Sequence, residues 1–263
     1  MRRYALVVAL AAVATIVSVA LAVAPRVHVG GAALEAIVFG GAALTSIGAV
    51  HLASAGTLRT RAALALGACS ALLLLAFAAF PPRHVALGVV IDVAIVALAH
   101  SIGASIGRRV EDAGHLLPAA IVASCADVVS VLHPRGPTHL LLENESALGV
   151  AAFAFPIPGF RALAPALGIG DLVFVALVLG VAHAKHLPHA RVALAALAGA
   201  LASGVLSAAL GAPVPALPAI GAGVLLSTPA FVRLRSKDRT VALGAIVIAL
   251  VVAALVVANR FLG

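Results

Sequence analysis

Hydrophobic positions in this chain fall into long unbroken runs, not into the alternation of a half-buried strand or the one-sided spacing of a surface helix. Nine such runs lie near 4–24, 31–55, 62–80, 85–106, 116–132, 169–187, 191–210, 215–232 and 240–259, separated by clusters of Arg, Pro and His. About 20 apolar residues in a helix cover the roughly 30 Å hydrocarbon core of a bilayer. A β-barrel would require polar and apolar residues to alternate, which they do not. The pattern predicts an all-α polytopic transmembrane bundle of about nine helices. Arg2, Arg3 and an Ala22-Val23-Ala24 cleavage-like box give the first run the look of a secretory signal. Pro25 follows directly and the run is longer than a usual signal core, so it reads as an anchor. The longest break runs from His133 to about Gly168 and holds the short apolar piece ALGVAAFAF, closed by Pro156 and Pro158. Too short to span as a helix, it is expected to be a surface or re-entrant segment.

Composition agrees with the pattern: 63% of residues are hydrophobic, 10% are charged, and the mean hydropathy is +1.21. The net charge of +8 resides in residues between the apolar runs. It therefore reads as membrane flanking and not as a nucleic-acid surface. With nine helices and a cytoplasmic N-terminus, Arg2, Arg3, Arg59, Arg61, Arg108, Arg109, Lys185, Arg191, Arg233, Arg235, Lys237 and Arg239 face inward. Arg26, Arg83, Arg135, Arg161 and Arg260 face outward, so the 17 basic residues divide twelve to five in the sense of the positive-inside rule. Cys69 and Cys125 both fall in apolar runs, as small buried hydrophobes and not as a disulfide framework. Heavy Ala, Val, Gly and Arg usage against two lysines points to a bacterial source, and with the hydropathy to a multi-pass protein of the inner membrane.

Two acids stand out. Asp127 and Asp171 lie within apolar runs, where an ionised carboxylate costs several kcal/mol and so marks a pathway or a site. Around the first the sequence is ASCADVVSVLHPRGPTHLLLE; around the second it is LGIGDLVFVALVLG, with Gly168-Ile169-Gly170 directly before Asp171 at the start of its helix. A third element, PVPALPAIGAG, opens the helix beginning near Pro215. At these residues the chain resembles the presenilin and signal peptide peptidase family of intramembrane aspartyl proteases. That family carries an Asp in one helix, Gly-x-Gly-Asp at the start of the next, and Pro-Ala-Leu at the start of a later one. His133-Pro134-Arg135-Gly136-Pro137 and Glu143 after the first aspartate are similar to the presenilin branch in particular. The resemblance covers about 105 residues, 120–226, and Pro-Ala-Leu recurs at Pro165-Ala166-Leu167, where it opens no helix at the right distance.

The resemblance implies a presenilin-like fold, and the apolar runs divide the chain into an N-terminal four-helix region at 1–112, a catalytic region at 113–232, and an extra C-terminal helix at 233–263. It implies peptide hydrolysis within transmembrane segments of other membrane proteins, by Asp127 and Asp171, with no cofactor or metal and no nucleic-acid partner. Two carboxylates close in low dielectric cannot both ionise. One then acts as general base on a shared water while its protonated partner donates to the scissile carbonyl. Gly168 and Gly170 are expected to let the backbone approach a substrate strand and adopt angles other residues avoid. Pro213, Pro215 and Pro218 disrupt regular helix, so that Pro215, Ala216 and Leu217 present free backbone groups for strand addition by an unwound substrate. The carboxyl groups are expected within reach of one bridging water, with the Pro-Ala-Leu segment bordering the same cavity.

Other features stand outside this pattern. Glu35, His51, Asp92 and His100 also fall in apolar runs; several buried ionisable groups suit a proton-coupled transporter, which with a catalytically silent relative forms the alternative reading. His183, His186 and His189 have a spacing that a metal could use, but Lys185 and Pro188 intervene, favouring a juxtamembrane basic loop. The family carries Tyr immediately before the first aspartate, where this chain has Ala126, and five helices before it, where this chain has four. The basic-residue count puts the segment between the aspartates outside the cytoplasm, as in signal peptide peptidases and opposite to presenilins.

Overall fold

The computed structural model describes residues 4–56, 60–80 and 84–262; Arg2, Arg3, Arg59 and Arg83 of the charge count lie outside them. In chain order the elements are α1 (Ala5–Val23), α2 (Ala32–Ser54), α3 (Thr60–Ala79), α4 (Ala86–Gly107), α5 (Leu116–Leu132), the short α6 (Pro137–Leu142) and α7 (Glu145–Ala151), strands β1 (Ala152–Pro156) and β2 (Leu163–Gly168), then α8 (Ile169–Ala184), α9 (His189–Leu210), α10 (Leu217–Ser227) and α11 (Arg239–Leu262). Among the described residues seven helices, α1 to α5, α9 and α11, are long and apolar enough to cross a membrane. The protein is an integral, multi-pass, helical membrane protein. The remaining two apolar runs also form helices, but shorter ones. At 1.5 Å per residue, α8 with 16 residues is about 24 Å long, and α10 with 11 residues about 16 Å.

The chain packs as two compact units, Met1–Arg109 with Glu145–Ala193, and Val110–Asn144 with Leu194–Gly263. The first is built on the pairing of α4 with α8. α8 buries Leu172, Phe174, Val175, Ala176, Val178, Leu179 and Val181, residues on every side, which is why its sequence shows no polar face. α4 approaches it through Gly103 and Gly107, where a Cβ would run into the carbonyl oxygens of Val173 and Leu177. Small residues at such a crossing let two backbones pack closely, the contact that replaces the hydrophobic effect between helices in lipid.

The piece expected to be a surface or re-entrant segment, ALGVAAFAF, is half-buried over 147–151 and buried over 152–154 in this unit. After α7 the chain runs on as β1, antiparallel to β2, with Phe153 fully buried and Ala152 and Ala154 nearly so. The physical reason lies in the backbone: a strand too short to span still satisfies its amides and carbonyls by pairing, which an irregular loop of the same composition would not. The connection 157–162 closes through Ile157 N–H to Ala162 O at 2.9 Å. Gly159, at φ +88°, turns its N–H onto the carbonyl of Ala24 at the end of α1, 2.7 Å away. A two-stranded hairpin is thus added to the all-α expectation.

In the second unit α5 packs against α10 and α11. The segment entering α5 is tied to the one entering α11 by two contacts. Asp112 accepts from Gly114 N–H at 2.8 Å and pairs with Arg235 Nε at 2.6 Å, while His115 Nε2 meets Asp238 Oδ2 at 3.2 Å. The chain leaves α9 at Gly211, φ +61°, the left-handed position at which helices commonly end. Pro213-Val214-Pro215 then runs without regular structure into α10.

Candidate active site

Asp127 lies on α5, half-buried, and its carboxylate points at the start of α10: the N–H of Leu217 donates to Asp127 Oδ2 at 3.0 Å. The local sequence explains why. Leu217 is the first residue of α10 and Pro218 the second. The first N–H groups of a helix have no partner inside it; proline at the second position removes one of them, leaving that of Leu217 for a partner from elsewhere. The residues before it, Pro213-Val214-Pro215-Ala216, cannot supply a side-chain cap, and Ala216 makes none. A carboxylate from another helix fills the position, where the positive end of the helix dipole also favours negative charge. Gly221, one turn further along α10, faces Ala120 and Ser124 of α5. This close approach holds the short helix against the aspartate. Motif elements 90 residues apart in sequence, Asp127 and Pro215-Ala216-Leu217, are therefore in direct contact.

The HPRGP segment reverses the chain just beyond Asp127. His133, before Pro134, is extended with ψ 132°, as a residue preceding proline prefers, and the turn closes through Gly136 N–H to His133 O at 2.8 Å. A side chain at Gly136 would strike the carbonyl of Ser130. Ser130, three residues after Asp127, takes the N–H of Thr138 at 2.9 Å and shares a hydrogen bond with its hydroxyl at 2.7 Å, which ties α6 to α5. Ala126 is exposed beside Asp127.

Asp171 belongs to the other unit and is the third residue of α8. Its Oδ2 accepts from the N–H of Gly168, the residue before the helix, at 3.2 Å. This is the reach-back half of a capping box, with an acid where the helix dipole favours one. Gly168 has φ −64° and ψ 148°, and Gly170 is not among the glycines of positive φ. The expectation that these two glycines supply backbone angles closed to other residues is therefore corrected. What they supply is space: a Cβ on Gly168 would come within 3.3 Å of Asp171 Oδ2, and one on Gly170 would meet no atom within 4 Å. Gly170 leaves an exposed stretch of bare backbone beside the carboxylate.

Asp92, singled out by sequence only as an acid in an apolar run, is fully buried on α4. Its Oδ1 accepts the N–H of Ala154 in β1 at 2.8 Å, a partner 62 residues away that no sequence signal announces. His51 and His189 stack with ring centroids 4.6 Å apart, and His183 meets His189 edge-on at 6.3 Å. Of the three histidines first grouped by spacing, His183 and His189 thus stay together while His51 joins them from α2. Glu35 is exposed in the first turn of its helix, where the dipole favours an acid. Just beyond α4, Arg108 donates to the carbonyl of Gly56 at 2.9 Å, and burial pulls its pKa below the ordinary value.

No family model, no curated protein and no solved structure matches this chain.

Proposed function

We propose that the chain is an intramembrane aspartyl endopeptidase of the presenilin kind, hydrolysing peptide bonds in the transmembrane segments of other membrane proteins through Asp127 and Asp171. The observation that carries the proposal is the hydrogen bond from Leu217 N–H to Asp127 Oδ2. It makes two separate motif elements parts of one local arrangement, in an order and spacing that helix packing alone does not require. In this reading the two carboxylates share a single proton. The ionised one takes a proton from a water as the water attacks the scissile carbonyl; the protonated one donates to the carbonyl oxygen, giving a tetrahedral diol. On collapse the carboxyl group now protonated donates to the departing nitrogen while its ionised partner takes a proton from the diol, so that amine and acid leave and the pair again holds one proton. The Leu217 amide orients Asp127 and stabilises its ionised form, and the Gly168 amide does the same for Asp171. Since either could begin as the base, the pair titrates as a unit.

Substrate must reach the site as an extended strand, because a helical amide is shielded by its own hydrogen bonds. β2 ends at Gly168, three residues before Asp171, and Gly170 leaves open backbone, so a strand laid alongside would bring its peptide bonds past the acid. The test is incubation of the purified protein in lipid with single-span membrane substrates, with and without an aspartyl-protease transition-state inhibitor. Inhibitor-sensitive cleavage within the span is expected. Absence of cleavage across a panel of such substrates, or cleavage that survives Asp171→Asn, overturns the proposal.

A further inference from the structure

Asp92 is a fully buried carboxyl group on a membrane-spanning helix, and the chemistry proposed above does not use it. Such a group is costly to place in a hydrocarbon-like interior unless it satisfies something there. What it satisfies is the Ala154 amide, at a particular point in the hairpin. Phe153 pairs with Leu167 but Ala154 pairs with Pro165, so Ala166 is an extra residue on β2 and the register breaks between Phe153 and Ala154. A bulge disrupts the ladder locally and lets a strand bend or slip, and here β2 offers Pro165, which has no N–H to give. The hydrogen bond that Ala154 donates to Asp92 of α4 fixes β1 at the residue where the register with β2 breaks.

Two residues before Ala154 in β1, Ala152 pairs with Gly168, whose N–H holds Asp171. At about 3.3 Å per residue the Asp92 anchor is some 7 Å along the strand from that pair. Side chains seat the hairpin on α4 and on a second helix: Phe155 fills the space over Gly41 of α2, and Leu163 that over Gly88 of α4. These contacts hold the outer part of the hairpin, while the Asp92 bond is the polar one nearest Gly168.

We propose that Asp92 is a positioning residue, whose carboxyl group fixes the hairpin through the Ala154 amide and so sets the place of Gly168 and Asp171. This rests on the reading of Asp171 as a reacting group. Only an acceptor oxygen is required of the side chain, not a proton that comes and goes, and this separates the role from a step in a proton path. Asn supplies the acceptor; Leu matches the volume and does not; Ala supplies neither acceptor nor bulk.

The experiment uses the full chain in lipid nanodiscs, with Asp92→Asn, Asp92→Leu and Asp92→Ala beside the native protein. Two readouts are taken: amide hydrogen exchange over 152–168, and kcat and KM for an intramembrane substrate. In the native protein the Ala154 amide should exchange far more slowly than those of the connection at 157–162. Asp92→Leu, or Asp92→Ala should the former not insert, should speed exchange of the hairpin about 10-fold or more, the effect of leaving a buried donor unpaired. The same variants should lower kcat at least about 10-fold with KM changed by less than about threefold, since a displaced reacting group is felt in the transition state. Asp92→Asn should restore both to within about threefold of native. Fast exchange of Ala154 in the native protein overturns the proposal, as does native exchange in Asp92→Leu or Asp92→Ala, or an Asp92→Asn variant that keeps its hairpin protected yet loses all turnover. If no form cleaves substrate, the protease reading fails and the exchange data still decide whether Asp92 anchors the hairpin.

Discussion

Substituting Asp127 separates two roles that one carboxylate holds at once, acceptor for the Leu217 amide and proposed acid or base. The bond is 3.0 Å long, and a hydrogen bond involving an ionised partner contributes about 1.5–3 kcal/mol, against roughly 0.5–1.5 for a neutral one. Asn at this position retains an oxygen for the amide, so Asp127→Asn should cost about 1 kcal/mol of stability; Ala leaves Leu217 N–H unpaired and should cost about 1–3 kcal/mol. For a chain of this size 1 kcal/mol corresponds to roughly 2–4 °C in Tm, so the Asn variant should unfold within about 4 °C of native and the Ala variant as much as about 12 °C below it. Cleavage should behave differently. An amide can neither take a proton from water nor share one with Asp171, so both variants should lose activity entirely. Thermal unfolding in detergent micelles, read by intrinsic signal or by aggregation, is measured beside initial rates of cleavage of a labelled single-span substrate in lipid. Appreciable turnover by Asp127→Asn would refute the catalytic role. An Ala variant as stable as the Asn variant would refute the account of how the start of α10 is held.

Asp171→Asn should likewise abolish cleavage and, keeping the acceptor for Gly168 N–H, shift Tm by no more than about 4 °C, from a neutral-acceptor loss of about 1 kcal/mol; cleavage by this variant tells against the pair. Ala126 is exposed beside Asp127, so Ala126→Tyr should be accommodated and, by narrowing the space around the carboxylate, should raise the initial rate; a folded tyrosine variant no faster than native removes the view of Ala126 as an impairing residue. Gly107→Leu should prevent the close crossing of α4 and α8, since any Cβ there meets the Leu177 carbonyl, and should cost at least about 3 kcal/mol, seen as loss of the folded fraction by size-exclusion chromatography. Asp112→Ala removes the acceptor for Gly114 N–H as well as the pair with Arg235. It should cost about 1–2 kcal/mol, with less than 1 kcal/mol of that salt-sensitive because Arg235 is exposed, as denaturation at low and high ionic strength would measure.

What the chain declares in its sequence is whatever depends on runs of neighbours. Each of the nine apolar runs holds a helix, seven of them long enough to cross a membrane, because a segment in an apolar surrounding must be apolar at every turn and must close its own hydrogen bonds, and both demands are local. The same locality placed Asp171 at a helix start, behind glycines, and Leu217 near one, behind prolines. Length was harder to read. The run 215–232 holds no α-helix longer than the 11-residue α10, followed by a short 3-10 turn at Pro229–Val232, because Pro213 and Pro215 delay its start and Pro229 follows its end, while hydropathy is blind to a missing N–H. The hairpin was hidden for a related reason: AFAFP and LAPALG are apolar on both faces, so neither carries the alternation that betrays a half-buried strand.

Asp92 shows where reading along the chain stops altogether. Its cost in an apolar helix is visible from composition, but the group that offsets the cost is a backbone amide, and every residue other than proline carries one. The choice of Ala154 among them is made by the bulge at Ala166, next to Pro165 in β2, and by the space that Gly41 and Gly88 leave for the hairpin, three features on three elements that only the fold brings together. An acid whose partner is another side chain can be guessed from complementary charge. An acid whose partner is backbone can be found only from the geometry, and it is there that a buried carboxylate of no recognised motif acquires a specific task, holding the hairpin that leads into Asp171.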